Sequence, residues 1–197
     1  MPHKPRFRLF GGPNGSGKTH VFREFREKGI IHTEVYVNAD KIESELKKKR
    51  IFYFNAYRVR VDNDSFKRHI LESGLFQSKI KDKTFIDHFS VQSGILHVGS
   101  NVKINSYHAS FVASYLSEKL FQTKQSFAFE TVMSHESKVD LLNLARRNGY
   151  KTYPYFVFVD NITTNIARVK LRVLRGGHDV EESIIKTRAP RTIKTTK

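Results

Sequence analysis

The chain has 197 residues, the length of one domain or of one domain that carries an inserted segment. It contains no cysteine, which excludes disulfides, thiolate metal sites and cysteine nucleophiles together. Lysine and arginine number 35 against 19 aspartates and glutamates, and the formal charge of +16 predicts anionic partners, nucleic acid among them. Since no apolar run approaches the roughly 20 residues of a membrane span, we expect a cytoplasmic protein without a membrane partner.

The glycine-rich segment 11–19 reads GGPNGSGKT and contains the phosphate-binding loop pattern G-x4-G-K-T without a gap. In this pattern the glycines let backbone N–H groups turn toward phosphates, Lys18 reaches the β- and γ-phosphates, and the Thr19 hydroxyl binds Mg²⁺. The sequence therefore predicts a site for a nucleoside triphosphate with Mg²⁺. Its residues are Gly12, Pro13, Asn14, Gly15, Ser16, Gly17, Lys18 and Thr19.

The flanks of the loop agree with this prediction. Arg6 to Phe10 (RFRLF) is an apolar-rich strand candidate, and apolar residues recur at helical spacing after the loop. A strand that leads into a helix N-terminus is the required context, because the helix dipole and its unpaired N–H groups attract phosphate. A second strand is predicted at 34–37, and Asp40 follows it as either a ligand at a strand end or a helix-capping residue.

The segment 51–105 departs from simple alternation of strands and helices. It predicts a helix that ends at Gly74 and then short strands joined by turns, and we interpret it as an insertion on the substrate side. A long helix capped by Asn105 or Ser106 follows. The cluster Lys47–Arg50 is either a solvated helix face or a patch for an anionic partner.

The last third of the chain returns to alternation. A buried strand ends in Glu130 and Thr131, a helix covers about 136–148, and a further strand is predicted to end at Asp160. This pattern predicts an α/β fold of the P-loop type, with a mostly parallel sheet flanked by helices. We expect one kinase-like domain over 1–188 and a flexible basic tail over 189–197.

Phosphoryl transfer needs positive groups for the transition-state oxygens and a group that orients the nucleophile. Arg168, Arg172 and Arg175 are spaced i, i+4, i+7 and therefore share one helix face, as either a lid over the nucleotide or a solvated basic face. Three carboxylates at predicted strand ends compete for the roles of base and metal ligand, and the spacing alone does not choose among them. They are Asp40, Glu130 and Asp160.

Several of these segments together resemble the zeta-toxin family of P-loop kinases, from the loop to about Arg188. GGPNGSGKT, VNAD, NSYHAS, FAFETVMS, GYKTYPYFVFV, NIARVKLRV and RGGHDV occur in the order of that family. FAFETVMSHESK and RVKLRVLRGGHDV are the most specific, because a generic P-loop protein has no reason to contain them.

The resemblance implies a kinase that uses ATP and Mg²⁺ to phosphorylate a small molecule, with UDP-N-acetylglucosamine or a related sugar nucleotide as the leading acceptor. It implies Asp40 as the catalytic base, Glu130 and Thr131 as substrate-site residues, and Arg168 as a γ-phosphate ligand. It also implies an antitoxin protein as a partner.

One departure from the family concerns the C-terminus. Similar proteins continue with a helix that carries a basic-Arg-Tyr-x-Arg-Ser-Leu pattern, whereas this chain reads KTRAPRTIKTTK. Arg188 fits, Ala189 stands at the tyrosine position, and Pro190 predicts a break in the helix. His178, in the glycine-rich turn before this helix, is expected to be structural. Two alternatives stand beside a zeta-toxin-like kinase. The charge of +16 and the Lys47–Arg50 cluster indicate a nucleic-acid-binding or polynucleotide-kinase-type protein, and the C-terminal departure indicates an ATP binder without turnover.

Overall fold

The computed structural model describes residues 4–133, 137–177 and 179–195, so His178 lies outside the described residues. The described helices and strands are, in chain order, β1 (Arg6–Gly11), α1 (Lys18–Glu27), β2 (Val35–Asn38), α2 (Ala39–Lys49), β3 (Ile51–Tyr53), α3 (Asn63–Glu72), β4 (Phe89–Gln92), β5 (Ile95–Val98), α4 (Ser106–Gln122), β6 (Phe127–Thr131), α5 (Ser137–Arg147), β7 (Lys151–Phe156), α6 (Ile162–Leu174) and α7 (Glu182–Thr195).

The chain forms two compact units. One consists of the chain up to Val37 together with the chain from Lys124 onward, and the other is Asn38–Thr123. The second unit begins before and ends after the inserted segment 51–105 that the sequence suggests. None of the helices in the described part of the chain has both the length and the apolar character that a membrane crossing needs.

The first unit is built on a parallel four-stranded sheet with the order β2-β6-β1-β7. Strand β1 pairs in parallel with both β6 and β7, and its residues Phe7, Leu9 and Phe10 are completely buried. Burial on both faces is typical of a parallel sheet covered by helices, because crossover helices occupy both faces. This confirms the α/β fold with a mostly parallel sheet.

The second unit contains an antiparallel sheet with the order β3-β5-β4, and α2 packs against α4. Its core surrounds Tyr115 of α4, which is fully buried and makes edge-to-face contacts with Phe54 and Phe66. Asn105 caps α4, since its side chain accepts hydrogen bonds from the first N–H groups of the helix. Asn105 therefore fills the capping position for which the sequence left two candidates.

Strand β7 is shorter than the sequence predicts, because it ends at Phe156 and not at Asp160. It is an edge strand that, among the described residues, pairs with β1 alone, and β1 turns away into the glycine-rich loop after Gly11. A strand cannot extend its ladder beyond its partner. Asp160 consequently lies in an exposed bend and does not end a buried strand.

The helix break expected at Pro190 is wrong, and the tail expected to be flexible is helical as far as Thr195. Ile185, Ala189 and Thr192 of α7 are buried, so one face of the helix is packed along its length. Proline in a helix interior costs about 3 kcal/mol. We attribute its tolerance here to this packing, because tertiary contacts routinely outweigh local propensity.

Candidate nucleotide-binding site

The loop between β1 and α1 depends on glycines at its tightest points. Gly15 has φ +79°, and a Cβ there would approach the carbonyl oxygen of Asn165 more closely than the 3.0 Å that real Cβ contacts respect. Gly17 has φ +97° and is the N-cap of α1, without a side-chain cap from any described residue. Anions are the ligands that a helix N-terminus favours, so this end of α1 fits a phosphate.

Lys18 is buried in this loop. Its Nζ donates hydrogen bonds to the carbonyl oxygens of Gly12 at 2.8 Å and Pro13 at 2.9 Å. The same Nζ lies 3.9 Å from Oε1 of Glu130. The ammonium group is thus fixed across the loop, beside a carboxylate from the end of β6.

Two further side chains of the loop have buried polar atoms for which the described residues offer no hydrogen-bond partner. These atoms are Oδ1 of Asn14 and Oγ of Ser16. Buried polar groups in folded proteins are almost always satisfied. A phosphate oxygen would accept from the Ser16 hydroxyl, so the loop fits the ligand that its sequence predicts.

Thr19, the predicted metal ligand, contacts Glu130. The Thr19 hydroxyl donates to Oε2 of Glu130 at 2.7 Å, and the phenol of Tyr36 donates to the same oxygen. Hydroxyl and carboxylate oxygens are the ligands that Mg²⁺ prefers, with phosphates and waters completing its shell. The structure therefore brings Glu130, which the resemblance implied as a substrate-site residue, to the predicted metal ligand.

Tyr36 is a member of this group that sequence reasoning missed. Its ring stacks on Phe22 of α1 with centroids 3.9 Å apart, and this contact positions its hydroxyl at Glu130. A tyrosine in a short apolar strand is ordinarily a core residue, so no sequence signal distinguishes it.

Thr131, the neighbour of Glu130, accepts a hydrogen bond from Gly12 N at 3.3 Å through its backbone carbonyl.

The three arginines predicted to share a helix face lie along the C-terminal half of α6, where Arg168 and Arg172 belong to the helix and Arg175 is its C-cap. Arg168, Arg172 and Arg175 line one cavity of about 580 Å³. Nη1 of Arg168 lies 3.9 Å from the position of a Cβ at Gly17, so the cavity adjoins the loop. Arg23 of α1 lines the same cavity and was missed by sequence reasoning. It stands four residues after Thr19 on α1, and that helical spacing was the available signal.

Asp40 belongs to the second unit. It lies in the first turn of α2, where Asn38 is the N-cap and accepts from Lys41 N at 3.2 Å. Within the described ranges, no cluster of three or more histidines, aspartates or glutamates forms a metal site. The residues brought together in the first unit are thus the loop, Glu130, Tyr36 and the arginines.

Comparison with known proteins gives few sequence matches. No protein-family model matches the chain. An uncharacterized protein of Haemophilus influenzae is 33% identical over 70 residues, which make up 34% of this chain and 50% of that protein. The chain thus aligns with half the length of this curated relative.

Matches to solved structures cover more of the chain than the sequence match does. A chain of the Pnkp1/Rnl/Hen1 RNA repair complex has a TM-score of 0.50 and 13% identity, and the match covers 100% of this chain and 46% of that one. A candidate kinase from Chloroflexus aurantiacus has a TM-score of 0.50 and 12% identity, with 96% and 80% covered. A chain from the PezAT toxin-antitoxin system of Streptococcus pneumoniae has a TM-score of 0.49 and 16% identity, with 89% and 57% covered.

Identities this low show a shared fold alone. The chain spans less than half of the repair-complex chain and most of the Chloroflexus protein. The chain therefore shares with these two structures an α/β fold in which helices flank a parallel sheet.

Proposed function

We propose that the chain is an ATP- and Mg²⁺-dependent kinase that phosphorylates a hydroxyl of a small molecule. The observation that carries this proposal is the contact of Lys18 and Thr19 with one carboxylate, Glu130, at the N-terminus of α1. A phosphate loop alone serves many nucleotide-binding proteins. The added carboxylate gives this loop the oxygen ligands that a metal ion bound to phosphates requires.

Different residues of the first unit bind the phosphates and the metal ion in this proposal. The loop N–H groups and Lys18 hold the phosphates, and Thr19 with Glu130 would hold Mg²⁺ directly or through its waters. The metal, when bound, neutralises charge on the β- and γ-phosphates. Arg168, at the edge of the loop, would stabilise the negative charge of the transferred phosphoryl group, and Arg172 and Arg175 line the same basic cavity.

The acceptor side of the proposal rests on the sequence resemblance. Asp40 takes the proton of the acceptor hydroxyl, whose oxygen then bonds to the γ-phosphorus while ADP leaves. Thr131 contributes to the acceptor site. The leading acceptor is UDP-N-acetylglucosamine or a related sugar nucleotide, and an antitoxin protein is the proposed partner.

Transfer of label from γ-labelled ATP with Mg²⁺ tests the proposal, with UDP-N-acetylglucosamine, a metabolite extract and an oligonucleotide as acceptors. We expect label on a small molecule, lost in Lys18→Ala and in Asp40→Asn. Asp64→Asn is the matched control, because Asp64 occupies the first turn of α3 as Asp40 occupies that of α2. ATP binding without transfer to any acceptor would contradict the proposed kinase activity and would favour an ATP-binding protein without turnover.

A polynucleotide acceptor is the second candidate, and the arginine cavity favours it. Arg23, Arg168, Arg172 and Arg175 line this cavity, and the chain carries a formal charge of +16. If phosphodiesters bind there, the logarithm of the oligonucleotide association constant falls with that of salt, by about 0.7 for each phosphate contacted. Arg23→Ala should then reduce this slope, whereas Lys151→Ala, at an exposed position that pairs with Arg6 at the end of β1 opposite the loop, serves as the control. Absence of oligonucleotide binding at low salt would exclude this candidate.

A further inference from the structure

Three serines of α4 offer an internal comparison. Ser110 and Ser117 donate their hydroxyl protons to carbonyl oxygens one turn earlier in the same helix, each at 2.8 Å. This is the common arrangement for serine inside a helix. Ser114 differs, because its Oγ lies 3.0 Å from Nε2 of His69 on α3. Its hydroxyl is thus directed at a base on a neighbouring helix.

The contact that Nδ1 of His69 makes determines which partner donates the proton between Nε2 of His69 and Ser114. Nδ1 of His69 lies 2.7 Å from Oε2 of Glu118, and the hydrogen bond from His69 is the largest cause that lowers the pKa of Glu118. An ionised carboxylate only accepts, so Nδ1 carries the proton. In the neutral ring Nε2 is then unprotonated and accepts the proton of the Ser114 hydroxyl.

The imidazole is held in this orientation by packing. Its ring makes an edge-to-face contact with Tyr115 at 5.3 Å between centroids, and Tyr115 is fully buried. The other carboxylate oxygen of Glu118 accepts from Nε2 of Gln122 at 3.2 Å. Base and orienting carboxylate are therefore both fixed, while Ser114 is exposed.

These groups line a cavity of about 570 Å³ that lies wholly within the second unit. Arg68 and Lys119 contribute positive charge to its wall, and Ser65 and Glu72 contribute further polar groups. The volume is that of a pocket for a small molecule. The nucleophile is thus accessible to a ligand, and cations stand in the same cavity.

We propose that Ser114, His69 and Glu118 act as nucleophile, general base and orienting carboxylate in the hydrolysis of a small carboxylic ester. A nucleophile within hydrogen-bond reach of a base that a third group orients is the recognised signature of such sites. This site is separate from the phosphate loop and does not depend on the kinase proposal.

The reaction balances with water as the only co-reactant. Oγ of Ser114 bonds to the carbonyl carbon as its proton moves to Nε2 of His69, and the alcohol leaves with that proton. Water then attacks the acyl carbon and gives one proton to His69. The bond between this carbon and Oγ of Ser114 breaks, Oγ takes the proton from His69, and the carboxylic acid leaves. Arg68 and Lys119 are the cations available to stabilise the negative charge on the carbonyl oxygen.

Two probes test the proposal on the full chain, a fluorophosphonate that labels activated serines and p-nitrophenyl acetate as a small ester. We expect one phosphonyl group on Ser114, located by peptide mass spectrometry. Ester hydrolysis should fall at least about 100-fold in Ser114→Ala and His69→Gln. Glu118→Gln should also slow it, because an amide no longer fixes the ring tautomer.

Ser110→Ala is the matched control, since it removes a serine hydroxyl from the same helix that contacts only its own backbone. It should retain both labelling and hydrolysis. Circular dichroism and thermal melts of each variant separate loss of the site from loss of the fold. Labelling of the native protein no faster than of unfolded protein, labelling at another residue, or equal loss in Ser110→Ala would overturn the proposal.

Discussion

The backbone carbonyl of Asn165 on α6 occupies the space into which a Cβ at Gly15 would project. The helix that carries Arg168 is therefore packed directly against the phosphate loop. Nothing larger than hydrogen fits between them without a shift of backbone against backbone. This contact connects the shape of the loop to the position of the arginine face.

The first prediction compares Gly15→Ala with Gly149→Ala. Both glycines have φ +79°, but among the described residues nothing lies within 4 Å of a Cβ at Gly149. Gly149→Ala should lower the free energy of unfolding by about 1 kcal/mol from backbone strain alone. Gly15→Ala should lower it by about 2 kcal/mol more, since it also forces α6 away. Urea denaturation measures both values.

Nucleotide affinity should separate the two variants further. Titration calorimetry with ATP and Mg²⁺ should show weakened binding for Gly15→Ala and wild-type binding for Gly149→Ala. Equal loss of stability and equal affinity in the two variants would show that the Asn165 contact yields easily and does not shape the loop.

The second prediction concerns the contact between Thr19 and Glu130. Glu130→Gln keeps the shape of the side chain and removes the charge that would attract Mg²⁺ or orient its waters. ATP affinity with Mg²⁺ should fall about 10- to 100-fold, as for other groups around a metal. ATP affinity in EDTA should change little, because the loop and Lys18 remain. Titration calorimetry under both conditions measures the difference.

Glu24→Gln is the control for Glu130→Gln. Glu24 lies on the same helix as Thr19, and its carboxylate pairs with Lys28 at 2.6 Å on the surface. Its removal should leave ATP affinity unchanged in both conditions. If Glu130→Gln weakened binding equally with Mg²⁺ and with EDTA, Glu130 would support the loop and not the metal.

The sequence predicts those parts of the site that lie close together along the chain. The phosphate loop, its strand and α1 occupy one continuous segment, so pattern and spacing predict them directly. The common cavity of Arg168, Arg172 and Arg175 follows from helical periodicity along α6 and its C-cap. Local sequence rules are sufficient for both features, because each depends on residues of one helix or of one strand and the helix that follows it.

The remaining features depend on contacts between distant segments. Glu130 reaches Thr19 because β6 pairs with β1, which sets Gly11 opposite Thr131 across 120 residues of sequence. Tyr36 joins them from β2, and no spacing rule connects these three positions. The helix through Pro190 likewise depends on burial of its neighbours, which outweighs the local preference that predicts a break.

The third prediction concerns how α7 is attached to the first unit. The Thr192 side chain is fully buried. Its hydroxyl lies 2.9 Å from the carbonyl oxygen of Arg188 in the same helix and 2.7 Å from that of Val132, the residue after β6 ends at Thr131. Thr192→Val preserves the shape and leaves this carbonyl without that donor, so the free energy of unfolding should fall by about 1–3 kcal/mol. Chemical denaturation measures the loss.

Thr187→Val is the matched control on the same helix. The Thr187 hydroxyl is exposed and donates to the carbonyl of Ser183 at 2.8 Å, one turn earlier. Its replacement should change stability by less than about 0.5 kcal/mol. Similar effects of the two substitutions would mean that α7 is held by its apolar face alone.

The fourth prediction concerns acid sensitivity of the second unit. His108 is buried, and burial, followed by the charge of His88, lowers its pKa from 6.5 to about 4. Its Nε2 lies 3.1 Å from Nδ1 of His88, and its ring packs 4.8 Å from that of Phe85. The folded protein therefore holds His108 neutral at pH values where the unfolded chain protonates it.

Proton binding determines the direction in which the free energy of unfolding changes with pH. Between pH 6.5 and 4 the unfolded chain binds a proton at His108 that the folded chain does not, so stability from this group is complete above pH 6.5 and falls as the pH is lowered toward 4. The full difference in the free energy of unfolding is about 3 kcal/mol. Denaturant titrations from pH 4 to pH 7.5 measure it.

His108→Gln isolates this contribution, because glutamine does not titrate and other acid-sensitive groups remain in both proteins. Asp62 and Asp82, whose pKa values are lowered by hydrogen bonds from Ser65 and Thr84, lose stability in acid in either background. The variant should therefore show a smaller decrease in stability than the wild type between pH 6.5 and 4. His97→Gln, at an exposed position of β5, should retain the wild-type decrease. Parallel pH profiles for the wild type and His108→Gln would show that protonation of His108 does not oppose folding.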